Sequence, residues 1–177
     1  RTALDAMGGD FAPVEIVKGA VEALEILPPE DEVILVGPQD VVQQELARYG
    51  GPFPRIRIVH AAEAVGMDES PVEALRRKPD SSIRRMIALM AEGQADAALS
   101  AGNTGAVVAA AQMGARLLRG VRRPGISVVM PTFHGPVVVI DVGANINCTP
   151  AQLAQYGVMA SVYSKLVLGV KEPRVGL

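Results

Sequence analysis

The chain of 177 residues has no tryptophan, few other aromatic residues and almost no net charge. Aromatic residues are 3% of the chain and the formal net charge is -2. Single-stranded nucleic acid needs aromatic side chains for stacking, and nucleic-acid backbones need a basic surface. We therefore predict that the protein has no nucleic-acid partner.

Cysteine and long apolar runs are also scarce. The single cysteine, Cys148, excludes an intrachain disulfide and favours a reducing compartment. No apolar run approaches the roughly 18 residues of a membrane span, and the first residues lack the apolar stretch of a signal peptide. These observations predict a cytoplasmic protein. The two histidines, His60 and His134, belong to no recognisable catalytic triad.

Apolar runs alternate with segments of helical period, which is typical of a parallel sheet covered by helices. We predict a three-layer αβα fold with a largely parallel sheet, in one domain over residues 1–177. The end of the chain, 173–177, resembles the start of a further strand, so we expect truncation of a longer fold. The predicted strands are Thr2 to Asp5, Glu32 to Val36, Arg55 to His60, Ala95 to Leu99, Ile126 to Met130 and Val137 to Asp141.

Helices are predicted from apolar spacing and from capping residues. The first begins near Pro13 and buries Val14, Val17, Val21 and Leu24. The others run from Gln39 to Arg48, from the N-cap Asp80 to Gly93, from Asn103 to Leu118, and from the capping box at Thr149 to Gly169. Segment 61–79 is predicted to be a functional loop.

Three apolar runs end in a small polar residue followed by a glycine-rich turn. The turns are Asp5-Ala-Met-Gly8-Gly9-Asp10, Ser100-Ala-Gly102-Asn103-Thr104-Gly105 and Asp141-Val-Gly143-Ala-Asn145. Ligands bind at the carboxyl ends of parallel strands, so we expect the three turns to gather at one edge. Their N–H groups would bind an anion, although each turn alone is also an ordinary strand-to-helix connection.

The charged residues around these turns allow more than one interpretation. Asp5, Asp10 and Asp141 either hold the loops through hydrogen bonds or bind a divalent cation. No histidine or cysteine joins them at ligand spacing, so neither a zinc nor an iron site is predicted. A phosphate also needs a cation, for which Arg76-Arg77-Lys78 is the best segment, unless this is a solvated basic turn.

Five segments together resemble the bacterial phosphate acyltransferase family PlsX. They are Leu4-Asp-Ala-Met-Gly-Gly-Asp10, Gly66-Met-Asp-Glu-Ser-Pro-Val-Glu-Ala-Leu-Arg-Arg-Lys78, Asp80-Ser-Ser82, Ser100-Ala-Gly-Asn-Thr-Gly-Ala106 and Asp141-Val-Gly-Ala-Asn145. The similarity covers about the N-terminal half of a family member. Two departures lie in Asn147-Cys148-Thr149-Pro150, where the family has Asp-Cys-Lys-Pro, so a carboxylate and a basic side chain are missing beside the third turn.

The resemblance implies acyl transfer from acyl carrier protein to orthophosphate, which gives acyl phosphate for phospholipid synthesis. It also implies a homodimer with a fold similar to isocitrate dehydrogenases and phosphotransacetylases, without a cofactor. It further implies peripheral contact with the inner face of the membrane, where a glycerol-phosphate acyltransferase would be a partner. The alternatives are an acetyl- or butyryltransferase that uses acyl-coenzyme A, and a non-enzymatic, membrane-associated organiser of lipid synthesis.

We assign the candidate residues to three roles. The anchor is Asp5, and the catalytic residues are Lys78, Ser100, Asn103 and Asp141. The substrate-binding residues are Gly8, Gly9, Asp10, Ser81, Ser82, Gly102, Thr104, Gly143 and Asn145. We further predict that Arg116, Arg119, Arg122 and Arg123 dock the acidic carrier protein, with helix capping as the alternative.

Overall fold

The computed structural model describes residues 1–115 and 117–177, which form two compact units with a boundary after residue 116. Arg116 lies outside the described residues. The first unit contains β1 (Thr2–Asp5), α1 (Val14–Ala23), β2 (Val33–Gly37), α2 (Gln39–Ala47), β3 (Ile56–His60), α3 (Pro71–Arg77), α4 (Ser82–Ala91), β4 (Ala97–Leu99) and α5 (Thr104–Gly114). The second contains β5 (Ser127–Thr132), β6 (Gly135–Ile140) and α6 (Pro150–Leu166).

The first unit is built on a parallel sheet with the strand order β3-β2-β1-β4. In β2 every residue from Val33 to Gly37 is buried, as expected for a central strand covered on both faces. One apolar cluster joins Ile34 and Val36 to α3, α4 and α5. The other joins Val33 and Leu35 to α1 and α2. This arrangement is the predicted αβα layering.

Two helices of this unit differ from their predicted ends or faces. Val14 is exposed, because α1 packs on the sheet through Val17 and Ala20. Asp80 is not the N-cap of α4, a position that Ser81 occupies. The Asp80 carboxylate instead accepts a hydrogen bond from the N–H of Ala62 at 2.9 Å and pairs with Arg85.

Segment 61–79 is partly helical, since α3 begins at Pro71 and buries Ala74 and Leu75. The predicted helix from Asn103 to Leu118 is shorter than expected. It ends at Gly114, and Leu117 and Leu118 are exposed beyond it.

The second unit does not continue the parallel sheet, as far as its described residues show. Strands β5 and β6 pair antiparallel, from Ser127 opposite Ile140 to Thr132 opposite Gly135. Two residues connect them, which is too short for the crossover between parallel strands. The predicted placement of β6 in the parallel sheet is therefore wrong.

Helix α6 begins as the sequence predicts. The Thr149 hydroxyl accepts a hydrogen bond from the Gln152 N–H, and the Gln152 side chain accepts one from the Thr149 N–H. Residues 173–177 form no strand, contrary to the expectation. Among the described helices, none has the length and apolar content needed to cross a membrane. The α/β class with a parallel sheet is confirmed, whereas the single domain stays a prediction.

Candidate functional site

The first two glycine turns contact each other at the carboxyl ends of the neighbouring strands β1 and β4. The Ser100 hydroxyl donates a hydrogen bond to Asp5 Oδ2 at 2.7 Å, and the Gly102 N–H donates to Ser100 Oγ at 3.0 Å. Asp5 is 1% exposed, and its other oxygen accepts from the Met7 N–H at 3.1 Å. This network ties the two turns together and directs the Ser100 hydroxyl hydrogen at the Asp5 carboxylate.

Glycine at position 8 is required by the close approach of the two turns. A Cβ there would lie 2.6 Å from Asp5 Oδ2, 2.7 Å from Ser100 Oγ and 2.8 Å from the Gly102 nitrogen. Gly9 follows with φ of +110°, a conformation that residues with a side chain rarely adopt. Asp10 is exposed at the rim of this turn.

The N-terminus of α5 is open to solvent next to this junction. The Asn103 side-chain oxygen accepts a hydrogen bond from the Ala106 N–H at 3.0 Å and so caps the helix. Thr104 and Gly105 are exposed, and their N–H groups have no acceptor among the described residues. Two free N–H groups and the helix dipole together favour an anion at this point.

Asn103 also connects the α5 N-terminus to the preceding loop. Its amide nitrogen donates to the carbonyl oxygens of Gly66, Met67 and Glu69 at 3.1, 3.2 and 3.1 Å. Asn103 is buried and both its polar atoms are engaged by the protein. Asn103 thus holds the preceding loop against the helix end, and its predicted catalytic role stays a prediction.

Lys78 lies in the same loop assembly. Its ammonium group donates to Glu69 Oε1 at 2.5 Å and to the Ala64 carbonyl oxygen at 2.7 Å. The Lys78 side chain keeps 29% of its surface exposed. Because Glu69 also contacts Asn103 through its backbone, Lys78 and the open end of α5 belong to one hydrogen-bonded assembly. In contrast, Arg76 and Arg77 are exposed, and Arg77 pairs loosely with Glu73 at 3.9 Å.

Ser81 and Ser82 do not offer their hydroxyls to a ligand in this arrangement. The two residues are 0% and 1% exposed, and neither Oγ has a hydrogen-bond partner among the described residues. Their predicted contact with substrate stays a prediction.

The third turn forms a separate network within the second unit. Asp141 Oδ1 accepts hydrogen bonds from the N–H groups of Ile126, Gly143 and Ala144, and Oδ2 accepts from the backbone and side chain of Asn145. Burial raises the pKa of Asp141, but these hydrogen bonds outweigh it and lower the pKa to about 2. A carboxylate with five donors is an anchor for its loop. The predicted catalytic role of Asp141 stays a prediction.

Asn145 completes that network. Its amide donates to the Tyr156 hydroxyl at 2.9 Å and to the Pro124 carbonyl oxygen at 2.9 Å. The Cys148 thiol contacts the Asn145 carbonyl oxygen at 3.7 Å and is partly buried. Gly143 takes a φ of +136°, which explains glycine at that position.

Metal ligands are not clustered in the part of the chain that the structure describes. No group of three or more histidine, cysteine, aspartate or glutamate side chains could hold an ion there. The arginines predicted to dock a carrier protein are exposed at positions 119, 122 and 123, and Arg123 reaches Asn145 Oδ1 at 3.5 Å. Arg116, the fourth of these arginines, lies outside the described residues.

Glu69 is the residue of the site that the sequence analysis missed. It accepts hydrogen bonds from Lys78 and from the Gly66 N–H on the same oxygen. Its pKa is lowered by the Lys78 hydrogen bond and then by that of Gly66. No local spacing rule pairs Glu69 with Lys78, because the two residues are nine positions apart and Glu69 precedes α3.

The parallel sheet between layers of helices makes this an α/β protein. The carboxyl ends of β1 and β4, together with the N-terminus of α5, form its candidate anion-binding site. The chain belongs to the family described as "Fatty acid synthesis protein", whose sequence model matches residues 1–177. It is 46% identical over 177 residues to the phosphate acyltransferase of Desulforudis audaxviator, a match that covers 100% of this chain and 51% of that protein.

Two other relatives have the same name and a similar identity to this chain. The phosphate acyltransferase of Desulfitobacterium hafniense is 48% identical over 178 residues, covering 100% of this chain and 52% of the relative. That of Halothermothrix orenii is also 48% identical over 178 residues, with coverage of 100% and 53%. The chain therefore spans about half the length of the curated relatives it matches.

Proposed function

We propose that the protein transfers a fatty acyl group from acyl carrier protein to orthophosphate. The observation that carries this proposal is the assembly in which Asn103 joins the open N-terminus of α5 to the loop that bears Lys78. N–H donors and an ammonium group are the groups that a phosphate needs. The relatives are named phosphate acyltransferases, which supports phosphate as the acceptor of the acyl group.

Phosphate needs little activation in this reaction. Near pH 7 it carries more than one negative charge and is already a nucleophile. A phosphate oxygen attacks the thioester carbonyl carbon, the carbon–sulfur bond breaks, and the thiol leaves as a thiolate. The unperturbed thiol pKa of about 8.5 makes that departure easy. The protein then contributes alignment and stabilisation of the oxyanion, for which no side-chain nucleophile is required.

The hydrogen bonds of Ser100 support direct attack by phosphate. The Ser100 hydroxyl donates a hydrogen bond to Asp5 and accepts one from the Gly102 N–H, so the protein already engages both its proton and its oxygen. We propose that phosphate binds at the N–H groups of Thr104 and Gly105 with Lys78 as its cation. Helix N-termini stabilise an anion by about 0.3 to 1 kcal/mol, so most of the affinity would come from the ammonium and the individual hydrogen bonds.

The test is an assay of the complete gene product with phosphate and either acyl carrier protein or acyl-coenzyme A as the acyl donor. We expect acyl phosphate from the carrier-protein thioester. Preference for acyl-coenzyme A would favour the acetyl- or butyryltransferase alternative. Absence of acyl phosphate with both donors would leave the non-enzymatic role. An acyl group trapped on Cys148 or Ser100 by mass spectrometry would contradict direct attack.

Lys78→Met tests the phosphate site itself. The substitution keeps an unbranched side chain and removes the charge, so we expect the KM for phosphate to rise about tenfold or more. Arg76→Met is the matched control, because Arg76 is exposed on the same segment. Equal phosphate KM values in Lys78→Met and wild type would contradict the assignment.

We also propose that the protein forms a homodimer and contacts the membrane surface peripherally, as the family resemblance implies. Light scattering and flotation with anionic vesicles test the two statements separately. A monomer in the first experiment, or no flotation in the second, would contradict the corresponding statement.

A further inference from the structure

Glu69 neutralises the cation that the proposed phosphate site requires. Its Oε1 lies 2.5 Å from Lys78 Nζ, and the two side chains are 37% and 29% exposed. Lys78 has three N–H donors, of which Glu69 and the Ala64 carbonyl oxygen take two. Glu69 therefore takes one of the donors that an anionic ligand of Lys78 would use.

The position of Glu69 is set from three directions. The Gly66 N–H donates to Glu69 Oε1 at 2.6 Å, and Asn103 donates to the Glu69 carbonyl oxygen at 3.1 Å. The Lys78 ammonium supplies the third contact. Glu69 thus links the cation to the N-terminus of α5. Its pKa is held below the usual range, so it remains charged at neutral pH.

A charged Glu69 has two opposite effects on an incoming phosphate. It aligns the Lys78 ammonium with the α5 end, and it competes with phosphate for that ammonium group. Because both side chains are partly exposed, the pair is weak, equivalent to roughly a 1.5- to 5-fold change in an equilibrium constant. A dianion that accepts hydrogen bonds from several donors of the site can displace a contact of this strength.

We infer that Glu69 is a positioning residue that binds Lys78 in the phosphate-free protein and releases it to the incoming phosphate. This inference rests on the proposed phosphate site. Glu69 keeps the hydrogen bond from Gly66 when it releases Lys78, so the loop retains its tie. The carboxylate then sets phosphate affinity without touching the reacting atoms.

Glu69→Gln tests the inference in the complete gene product. The amide oxygen can accept the same hydrogen bonds from Gly66 and Lys78, but the negative charge is gone. We expect the KM for phosphate to fall about two- to fivefold while kcat changes less than twofold. We also expect inorganic phosphate alone to raise the melting temperature of the variant more than that of the wild type. A residue that only maintained the loop would raise the KM or lower both stability and kcat.

Glu73→Gln is the matched control because it removes the same charge from the same segment. Glu73 is exposed and pairs with Arg77, not with Lys78. We expect Glu73→Gln to change the phosphate KM less than half as much as Glu69→Gln. An equal decrease in both variants would indicate a general field effect and overturn the inference.

The double variant Glu69→Gln, Lys78→Met separates this inference from the proposed function. If Glu69 acts through Lys78, Glu69→Gln has no effect on phosphate KM in the Lys78→Met background. An increase in KM for Lys78→Met with no decrease for Glu69→Gln overturns the inference alone. An unchanged KM in Lys78→Met overturns the proposed phosphate site and the inference with it.

Discussion

Gly8→Ala is expected to disturb the contact between the first two glycine turns. The new Cβ would lie within 2.8 Å of three atoms, namely Asp5 Oδ2, Ser100 Oγ and the Gly102 nitrogen. Ordinary contacts of carbon are about 3.5 Å, so the turns must separate by about 0.7 Å or more. Asp5 is buried and Gly102 is backbone, so the strain cannot be relieved by rotating a flexible side chain. Overpacking of this kind lowers the free energy of unfolding by about 1 to 3 kcal/mol.

Gly19→Ala is the matched control, since Gly19 lies exposed inside α1 and a Cβ there meets nothing within 4 Å. We expect it to stabilise the protein by about 0.5 to 1 kcal/mol, because alanine favours a helix. In urea unfolding monitored by circular dichroism, the free energies of unfolding of the two variants should therefore differ by about 1.5 to 4 kcal/mol. A Gly8→Ala variant as stable as the wild type would refute the close contact. The phosphate KM of this variant should also rise, because Ser100 and Gly102 are displaced.

Three further predictions concern the remaining anchors. Asp141→Asn should lower the free energy of unfolding by about 2 kcal/mol at pH 6, since the carboxylate has a pKa of about 2 when folded against 3.8 as reference. The contribution is complete above pH 4 and disappears as the pH falls towards 2, so a difference that is independent of pH would contradict it. Asn103→Ala should lower the free energy of unfolding by about 1 to 2 kcal/mol. Asn103→Asp keeps the oxygen that caps the helix, so it should lower that free energy by less. Equal decreases in the two variants would contradict the capping role. Charge reversal at Arg119, Arg122 and Arg123 should raise the KM for carrier protein and leave phosphate dependence unchanged, which steady-state kinetics can check.

The parallel sheet could be predicted because its strands are short apolar runs between helical segments. β1 has the predicted bounds, and β2 and β3 agree within one residue at each end. The start of α6 could also be predicted, because Thr149 and Gln152 form a local capping box. Such signals lie within a few residues of each other, and the sequence contains them directly.

The hairpin and α3 were missed although local signals existed. The six residues between the predicted strands that end at Met130 and begin at Val137 are too few for a parallel crossover. Ser70-Pro71 is a helix start with proline in the first turn, inside the segment that we predicted to be a loop.

The side-chain pairings of the site could be predicted only in part. The sequence placed Lys78 near the second turn as a candidate cation, but not its partner Glu69. The contact of Asn103 with three carbonyl groups also depends on how the loop folds back over 34 to 37 residues of sequence. Contacts of this kind depend on tertiary packing, which no local pattern encodes.

A crystal structure of the complete gene product with bound phosphate tests the central claim most directly. We predict a phosphate whose oxygens lie within hydrogen-bond distance of the Thr104 and Gly105 N–H groups and of Lys78 Nζ. We further predict that Lys78 has moved away from Glu69 in that complex. A phosphate bound at another place, with Thr104, Gly105 and Lys78 unchanged, would contradict the account.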